Sequence, residues 1–300
     1  MHMSIRKWVS VCLPAVCALA LPLSAGAQVF ESVGIRAQGM GGAFVAVADD
    51  ATATWWNPAG LANGAYFNSL LEWSVRADPA GMSARGFAVA YPALGMSYYR
   101  LALRDIRPLA PAIPASGATD DALSLFGATF GQSIGGHLVV ASTVKIAHAL
   151  GRTRGDLDIG AMAAAGPLRL GMTVRNLARP EFAEGGQPYE LPRQVRVGIA
   201  LNGGPSGHPD VTLAVDADLT TTPTPVGDAR HVAGGLELWR SKRRFGVRGG
   251  VGMSTTGERR PFASLGTSLA LRAGLFADFQ VTRGQDDIRN GWGLGVRVTF

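Results

Sequence analysis

The chain has 300 residues, 47% of them hydrophobic, only 17% charged and 40 of them glycine, a balance unusual for a soluble helical or α/β protein. The formal charge of +6 comes from 28 Lys and Arg against 22 Asp and Glu. The cations read as scattered singly along strand-like segments, which argues against nucleic acid as a partner.

The first segment reads as an export signal spanning residues 1–27. Arg6 and Lys7 form a short basic start, an apolar stretch runs from about Trp8 to Leu23, and Ala25-Gly26-Ala27 supplies a small-residue cleavage site, leaving Gln28 as the mature N-terminus. Pro14 and Pro22 interrupt the stretch, against a retained anchor. Cys12 and Cys17 are the only cysteines and lie inside this peptide, with Val11 and Val16 where a lipidated cysteine would follow a small residue. The mature chain, about 273 residues, therefore has no thiol, disulfide or Cys-based metal site. Its formal charge falls to +4 once Arg6 and Lys7 leave.

Residues 28–64 do not alternate and are expected to form a hatch. Gly39-Met40-Gly41-Gly42 precedes an apolar run, Ala43 to Ala48, compatible with a short helix; Asp49-Asp50 and Asn57-Pro58 are turn and cap signals. Irregular backbone cannot face hydrocarbon, so this segment belongs inside a barrel or at its mouth. Within it, Gly39, Gly41, Gly42, Phe44, Trp55, Trp56, Asn57 and Pro58 are the candidate ligand-facing residues, with the three aromatic rings offering an apolar surface.

From residue 65 to 300 the pattern is period two. Val211, Leu213, Val215 and Ala217 alternate with Thr212, Ala214, Asp216 and Asp218, and the C-terminus repeats the pattern from Trp292 to Phe300. Such alternation means strands with one apolar and one polar face. The polar face mixes small residues with Arg169, Arg175, Arg196, Asp216, Asp218, Glu237, Arg248, Asp278 and Arg297, which suits a confined lumen better than a solvated surface. The fold class is therefore all-β: a transmembrane antiparallel barrel of about fourteen strands with an N-terminal helical or irregular plug. The strands are expected at 66–76, 84–93, 95–106, 122–134, 137–151, 156–167, 168–178, 194–203, 210–220, 230–241, 245–257, 261–271, 273–284 and 290–300. Glycine in such strands marks turns or positions facing a crowded interior.

Counting back from the C-terminus puts the long, Pro-rich connections 107–121, 179–193 and 221–229 on one rim, the extracellular one, and the tight joints near Pro92, Gly135 and Gly166-Pro167 on the other. Trp292 and the terminal Phe300 form the expected outer-membrane assembly signal, read by the barrel assembly machinery. Tyr66, Phe67, Trp73, Tyr98, Tyr99, Trp239 and Trp292 are candidates for interfacial aromatic belts.

The block GxRAxGMGGAFVAVADDATATWWNPAGLA, beginning at Gly34, resembles the N-terminal signature of the FadL-like superfamily of outer-membrane proteins. The resemblance implies a fourteen-stranded barrel with an N-terminal hatch that includes Asn57-Pro58-Ala59. The modest length is closer to the short PorV/PorQ-like branch, associated with type IX secretion, than to the longer fatty-acid channels.

No catalytic constellation emerges. Gly131-Gln132-Ser133-Ile134-Gly135 matches G-x-S-x-G, but a nucleophile elbow needs a strand, a turn and then a helix, and here a second strand follows the turn. The histidines lack metal-ligand spacing; Asp120-Asp121 and Asp286-Asp287 are loop carboxylates open to surface Ca²⁺ or to plain solvation. Neither a cofactor nor a resident metal is expected. The reading is a non-enzymatic barrel of a Gram-negative outer membrane, in contact with lipid. It either passes hydrophobic small molecules or, as the alternative, serves as a cargo-receiving accessory with secretion components as partners. A barrel lipid hydrolase is the third expectation. Whether the hatch moves or is a permanent plug stays open.

Overall fold

A computed structural model describes residues 25–26, 33–76, 83–102, 122–184, 187–204, 210–223, 227–285 and 289–300. Fourteen antiparallel strands close into a barrel. They are β1 (Asn68–Arg76), β2 (Ser83–Tyr91), β3 (Leu94–Ala102), β4 (Ala122–Ile134), β5 (Leu138–Ala149), β6 (Arg152–Ala165) and β7 (Leu168–Arg175). The second half comprises β8 (Gln194–Gly203), β9 (Val211–Asp218), β10 (His231–Arg240), β11 (Phe245–Ser254), β12 (Phe262–Arg272), β13 (Leu275–Gly284) and β14 (Gly291–Thr299). Each strand pairs with its sequence neighbours, and β14 returns to β1 in a register running from Gly291 opposite Arg76 to Thr299 opposite Asn68. The seam is finished by Phe67 and Phe300, whose backbones exchange hydrogen bonds of 3.2 and 2.9 Å and whose rings stack 6.2 Å apart.

The two faces follow the sequence pattern. Leu213, Val215, Leu265 and Val296 are exposed on the outside, while Ala214, Asp216, Ser264 and Arg297 are buried inside. An apolar outer face with every backbone group paired in a closed ladder is what hydrocarbon demands. No described helix is long and apolar enough to cross a membrane.

The rims also differ as expected. The tight joints at Pro92-Ala93, Gly135–His137 and Gly166-Pro167 lie at the rim that carries Phe300 and the long connection 176–193 at the other, although the two-residue turn Leu150-Gly151 also lies at that second rim. One of these long connections, between β7 and β8, folds into a hairpin of Glu181–Glu184 against Gln187–Glu190. Ala25–Gly26, which fall within the expected signal segment, pair in parallel with Tyr189–Glu190. The rest of the expected signal and the connection 103–121 lie outside the described residues.

Three expectations need correction. Strand β6 begins at Arg152 rather than 156, because the polar stretch Arg152–Gly155 still pairs with Ile146–Ala149 above the apolar band. Ala43–Ala48 is a chain of turns, not a helix: the Phe44 carbonyl accepts from Val47 and Ala48 at 3.0 and 2.8 Å, one turn that no further rung continues. Tyr99 and Trp239 are buried inside the barrel and belong to no membrane belt, whereas Tyr66, Trp73 and Trp292 do stand on the outer face.

Candidate functional site: the plugged lumen

The segment 33–64 occupies the barrel interior as two short helices, α1 (Ile35–Gly39) and α2 (Ala53–Trp56), followed by a 3₁₀ turn at Pro58–Asn63. Such short pieces cannot hold themselves together in isolation, so the wall has to supply partners for their backbone. Two wall carboxylates do so, and a third holds a plug side chain. Glu72 of β1 accepts from the N–H groups of Gly34 and Ile35 at 2.8 and 3.1 Å, at the start of α1. Asp216 of β9 accepts from Phe44 and Val45 at 2.7 and 2.8 Å. Glu237 of β10 takes Arg36 through two hydrogen bonds, from Nε at 2.8 Å and from Nη2 at 2.6 Å.

Arg36 is the charge centre of the plug. Besides Glu237 it pairs with Asp49 and, at 3.3 Å, with Asp50. Burial opposes its charge, yet Asp49, Glu237 and Asp50 together hold the guanidinium above its ordinary range. Asn57 works similarly for neutral groups. Its Nδ2 donates to the carbonyl of Val45 at 2.9 Å and, in the wall, to that of Ala161 at 3.1 Å, while its Oδ1 accepts from Ala59 at 3.2 Å and caps the 3₁₀ turn that Pro58 opens. The Asn-Pro signal in the sequence marked this cap.

Glycines in the wall let the plug backbone lie directly on the strands. A Cβ at Gly235 would sit 2.6 Å from the Met40 carbonyl oxygen, and one at Gly250 would collide with Met40 and Gly41. Gly171 leaves room for Val45, and Gly160 for Asn57 and Pro58. On the plug side, Gly41 has φ +70° and rests on the backbone of Gly250 and Val251. Glycine in a strand often marks such a close approach of another backbone, and the high glycine content of the chain finds its use here.

The remaining candidate residues are placed as follows. Gly39 abuts Arg248 and Gly266, and Gly42 has φ +81° in the turn after α1. Phe44, Trp55 and Trp56 are buried: Phe44 meets Trp56 edge-on at 6.0 Å, Trp55 meets Tyr99 at 5.4 Å, and Trp56 Nε1 donates to the Val33 carbonyl at 3.0 Å. In this arrangement their apolar surface is spent on plug and wall. Trp292 packs edge-on against Trp73 at 5.5 Å on the outer face.

Sequence reading placed the charged residues in the lumen but did not reveal their groupings. Lys145 bridges Asp156 and Asp158 at 2.8 and 2.7 Å, and Arg175, 3.5 Å from Asp158, lies 3.8 Å over the Trp55 ring. Across the lumen, Asp278 pairs with Arg297 at 3.1 Å and Arg248 at 3.5 Å. Opposite charges thus compensate within the wall. No cluster of His, Cys, Asp or Glu among the described residues could hold a metal ion, and Asp120-Asp121 and Asp286-Asp287 lie outside those residues. Ser133 is exposed at the end of β4, where the chain turns into β5, so the elbow geometry is missing.

A search of curated proteins finds no match. A family described as the F plasmid transfer operon TraF protein matches residues 151–218, about the span of β6 to β9. Solved structures match far more of the chain. The CymD monoaromatic hydrocarbon channel superposes with a TM-score of 0.64 at 12% identity, covering 91% of this chain and 98% of its own. A FadL homologue of Pseudomonas aeruginosa gives 0.62 at 11% identity, covering 92% and 100%. The chain has the FadL-type fold. The Ralstonia pickettii toluene transporter TbuX shares it at 0.60 and 12% identity, covering 91% and 99%. Such low identities establish architecture alone, and within the FadL-type fold the contacts above belong to this chain.

Proposed function

We propose that the protein is an outer-membrane barrel through which hydrophobic small molecules pass, with the segment 33–64 acting as a movable hatch. The observation that carries this reading is a lumen filled by an N-terminal segment that is tied to the wall by separable polar contacts, on a fold shared with hydrocarbon channels. A barrel of this strand number would leak if left empty. Besides its apolar packing on the wall, the plug is fastened by charge-assisted hydrogen bonds to single wall carboxylates, discrete contacts that a shift of the segment would break one by one. The export signal at 1–27 and the apolar outer face support residence in the outer membrane, with the short-turn rim toward the periplasm.

The test has two parts. Deleting residues 34–48 should raise single-channel conductance in planar bilayers, and an unchanged conductance would reject the plug. Uptake of radiolabelled toluene by cells expressing the intact chain should exceed that of cells carrying the empty vector; equal uptake of toluene and of a long-chain fatty acid in both strains rejects transport. A second reading, an accessory to export, takes its support from the match of residues 151–218 to a family named for a plasmid transfer operon. It requires stable partner proteins in a pull-down from solubilised outer membrane. The structure around Ser133 offers a hydrolase nothing to build on.

A further inference from the structure

The cations are not all placed singly: Arg259 and Arg260 are adjacent, and a denser run lies at another turn. Arg240, Lys242, Arg243 and Arg244 fall within five residues, where β10 turns into β11 at the short-turn rim. The turn is unusual in its backbone. Ser241, Lys242 and Arg243 have φ of 54°, 55° and 63° in succession, a left-handed run that L-residues rarely make and that persists only when its surroundings enforce it. It is closed by the Arg244 N–H, which donates to the carbonyls of Arg240 at 3.1 Å and Ser241 at 3.2 Å, and it is tied to the next hairpin by the Ala270 N–H donating to the Arg244 carbonyl at 2.8 Å. That hairpin ends on Arg272.

The side chains point to two environments. Arg243 turns inward and lies 4.4 Å over the Trp239 ring. Arg240, Lys242, Arg244 and Arg272 are exposed. Arg240 stands directly opposite Phe245 across the ladder, and Phe245 opposite Leu269; cross-strand partners share a face, and Phe245, Leu269 and Leu271 are exposed on the lipid side. The cations therefore sit immediately beyond the apolar band, at the height where headgroups begin. The sequence of the six turns of this rim contains one carboxylate, Asp210, against Lys242, Arg243 and Arg244.

We propose that this pair of adjacent turns binds anionic phospholipid headgroups of the leaflet at the short-turn rim, with Arg240, Lys242, Arg244 and Arg272 around the phosphate. An acidic protein would not explain why Arg240 lies on the lipid-facing side above a row of exposed apolar residues; a phospholipid, with acyl chains on that row and its charge at the turn, accounts for both. The left-handed turn confines Arg240, Lys242 and Arg244 to one five-residue span at the rim. The proposal rests on the barrel crossing a bilayer and not on what passes through it.

The experiment places the full-length protein in nanodiscs of mixed phosphatidylcholine and phosphatidylglycerol and counts the lipids retained on release by native mass spectrometry. The wild type should retain phosphatidylglycerol preferentially. The triple variant Arg240→Gln, Lys242→Gln, Arg244→Gln should lose that preference by at least about tenfold, given an attraction of about fivefold per cation at a charged surface. Exchanging the arginines for lysine, Arg240→Lys with Arg244→Lys, should keep most of it. Heat-modifiable gel migration reports barrel insertion separately, and Lys242→Gln alone, at the exposed tip, gives a roughly fivefold effect if the triple variant does not fold. Equal retention of the two lipids by the wild type, or equal enrichment in wild type and variants, overturns the proposal. So does a wild type without lipid preference that retains an acidic protein instead.

Discussion

Arg36 in the plug and Glu237 in the wall are 201 residues apart and joined by two nearly parallel hydrogen bonds of 2.8 and 2.6 Å. Removing one member of a buried, bidentate ion pair strands the other, at a cost of about 3–5 kcal/mol. Arg36→Ala is expected to loosen the plug, read as more frequent channel openings in a planar bilayer and faster proteolysis between residues 33 and 64. Removing both members should cost less than the sum of the single changes, since Arg36 and Glu237 no longer strand each other, while Asp49, Asp50 and Arg248 lose a partner whichever variant removes it. A double variant as leaky as that sum predicts would deny the pair its role.

Gly249 and Gly250 are neighbours on β11 with opposite duties. A methyl group at Gly249 meets only ordinary contacts, 3.6 Å from Leu265, whereas one at Gly250 strikes Met40 and Gly41 of the plug. Gly250→Ala should therefore displace the plug at a cost of about 1–3 kcal/mol, as overpacking does. Gly249→Ala should leave conductance unchanged. Equal effects of the two would mean that the plug does not rest where the strands present bare backbone.

Asn57 joins plug to plug and plug to wall through its side-chain amide. Asn57→Ala leaves the buried carbonyls of Val45 and Ala161 without this donor, which should cost roughly 1–3 kcal/mol. Amide exchange in residues 57–63 should accelerate while the barrel strands keep their protection. Asn57→Asp retains the cap but turns a buried carboxylate oxygen toward both carbonyls, so it should cost at least as much as the alanine variant.

The ring of Trp55 lies between Arg175 and Tyr99. Arg175→Lys keeps the charge but loses the planar face that covers the indole. Tryptophan fluorescence should shift to the red, with a modest rise in leak. Trp55→Ala, which opens a cavity worth about 3–5 kcal/mol, should give the larger leak; the reverse order would put the latch elsewhere.

Much of this architecture was legible beforehand. Alternation such as Val211 to Asp218 announces both the strand and the face that meets lipid, because a wrong face puts Asp216 in hydrocarbon. The non-alternating stretch from Gly34 to Asn63 announces a segment unable to face lipid. Single residues of ambiguous parity were less readable. Trp239 looked like a belt residue beside Leu238, yet Glu237, two positions earlier, fixes the same face as luminal. Tyr99 is likewise tied to Ser97. Arg152–Gly155 carried no apolar signal because that part of β6 pairs above the band. The pairings of Asp216, Glu72 and Glu237 with plug atoms were invisible in the sequence, since partners from 37 to 201 residues apart leave no local trace.

Helix α1 lies against the line where the cylinder is sewn shut: Glu72 of β1 holds its first turn, and Ile35 fills the space over Gly293 and Gly295 of β14. Its other anchors are Glu237 of β10, Ser264 of β12 and Gln280 of β13. The N-terminal stretch leaves the ribosome ahead of every strand, yet its seat does not exist until the first strand meets the last. The earliest residues made are thus the final ones to find their place, and an open, half-sewn sheet has nowhere to put them. Such long-range closure makes assembly slow, and any factor that guides this sheet into the bilayer has to keep the leading thirty or so residues out of the gap until the last strand arrives.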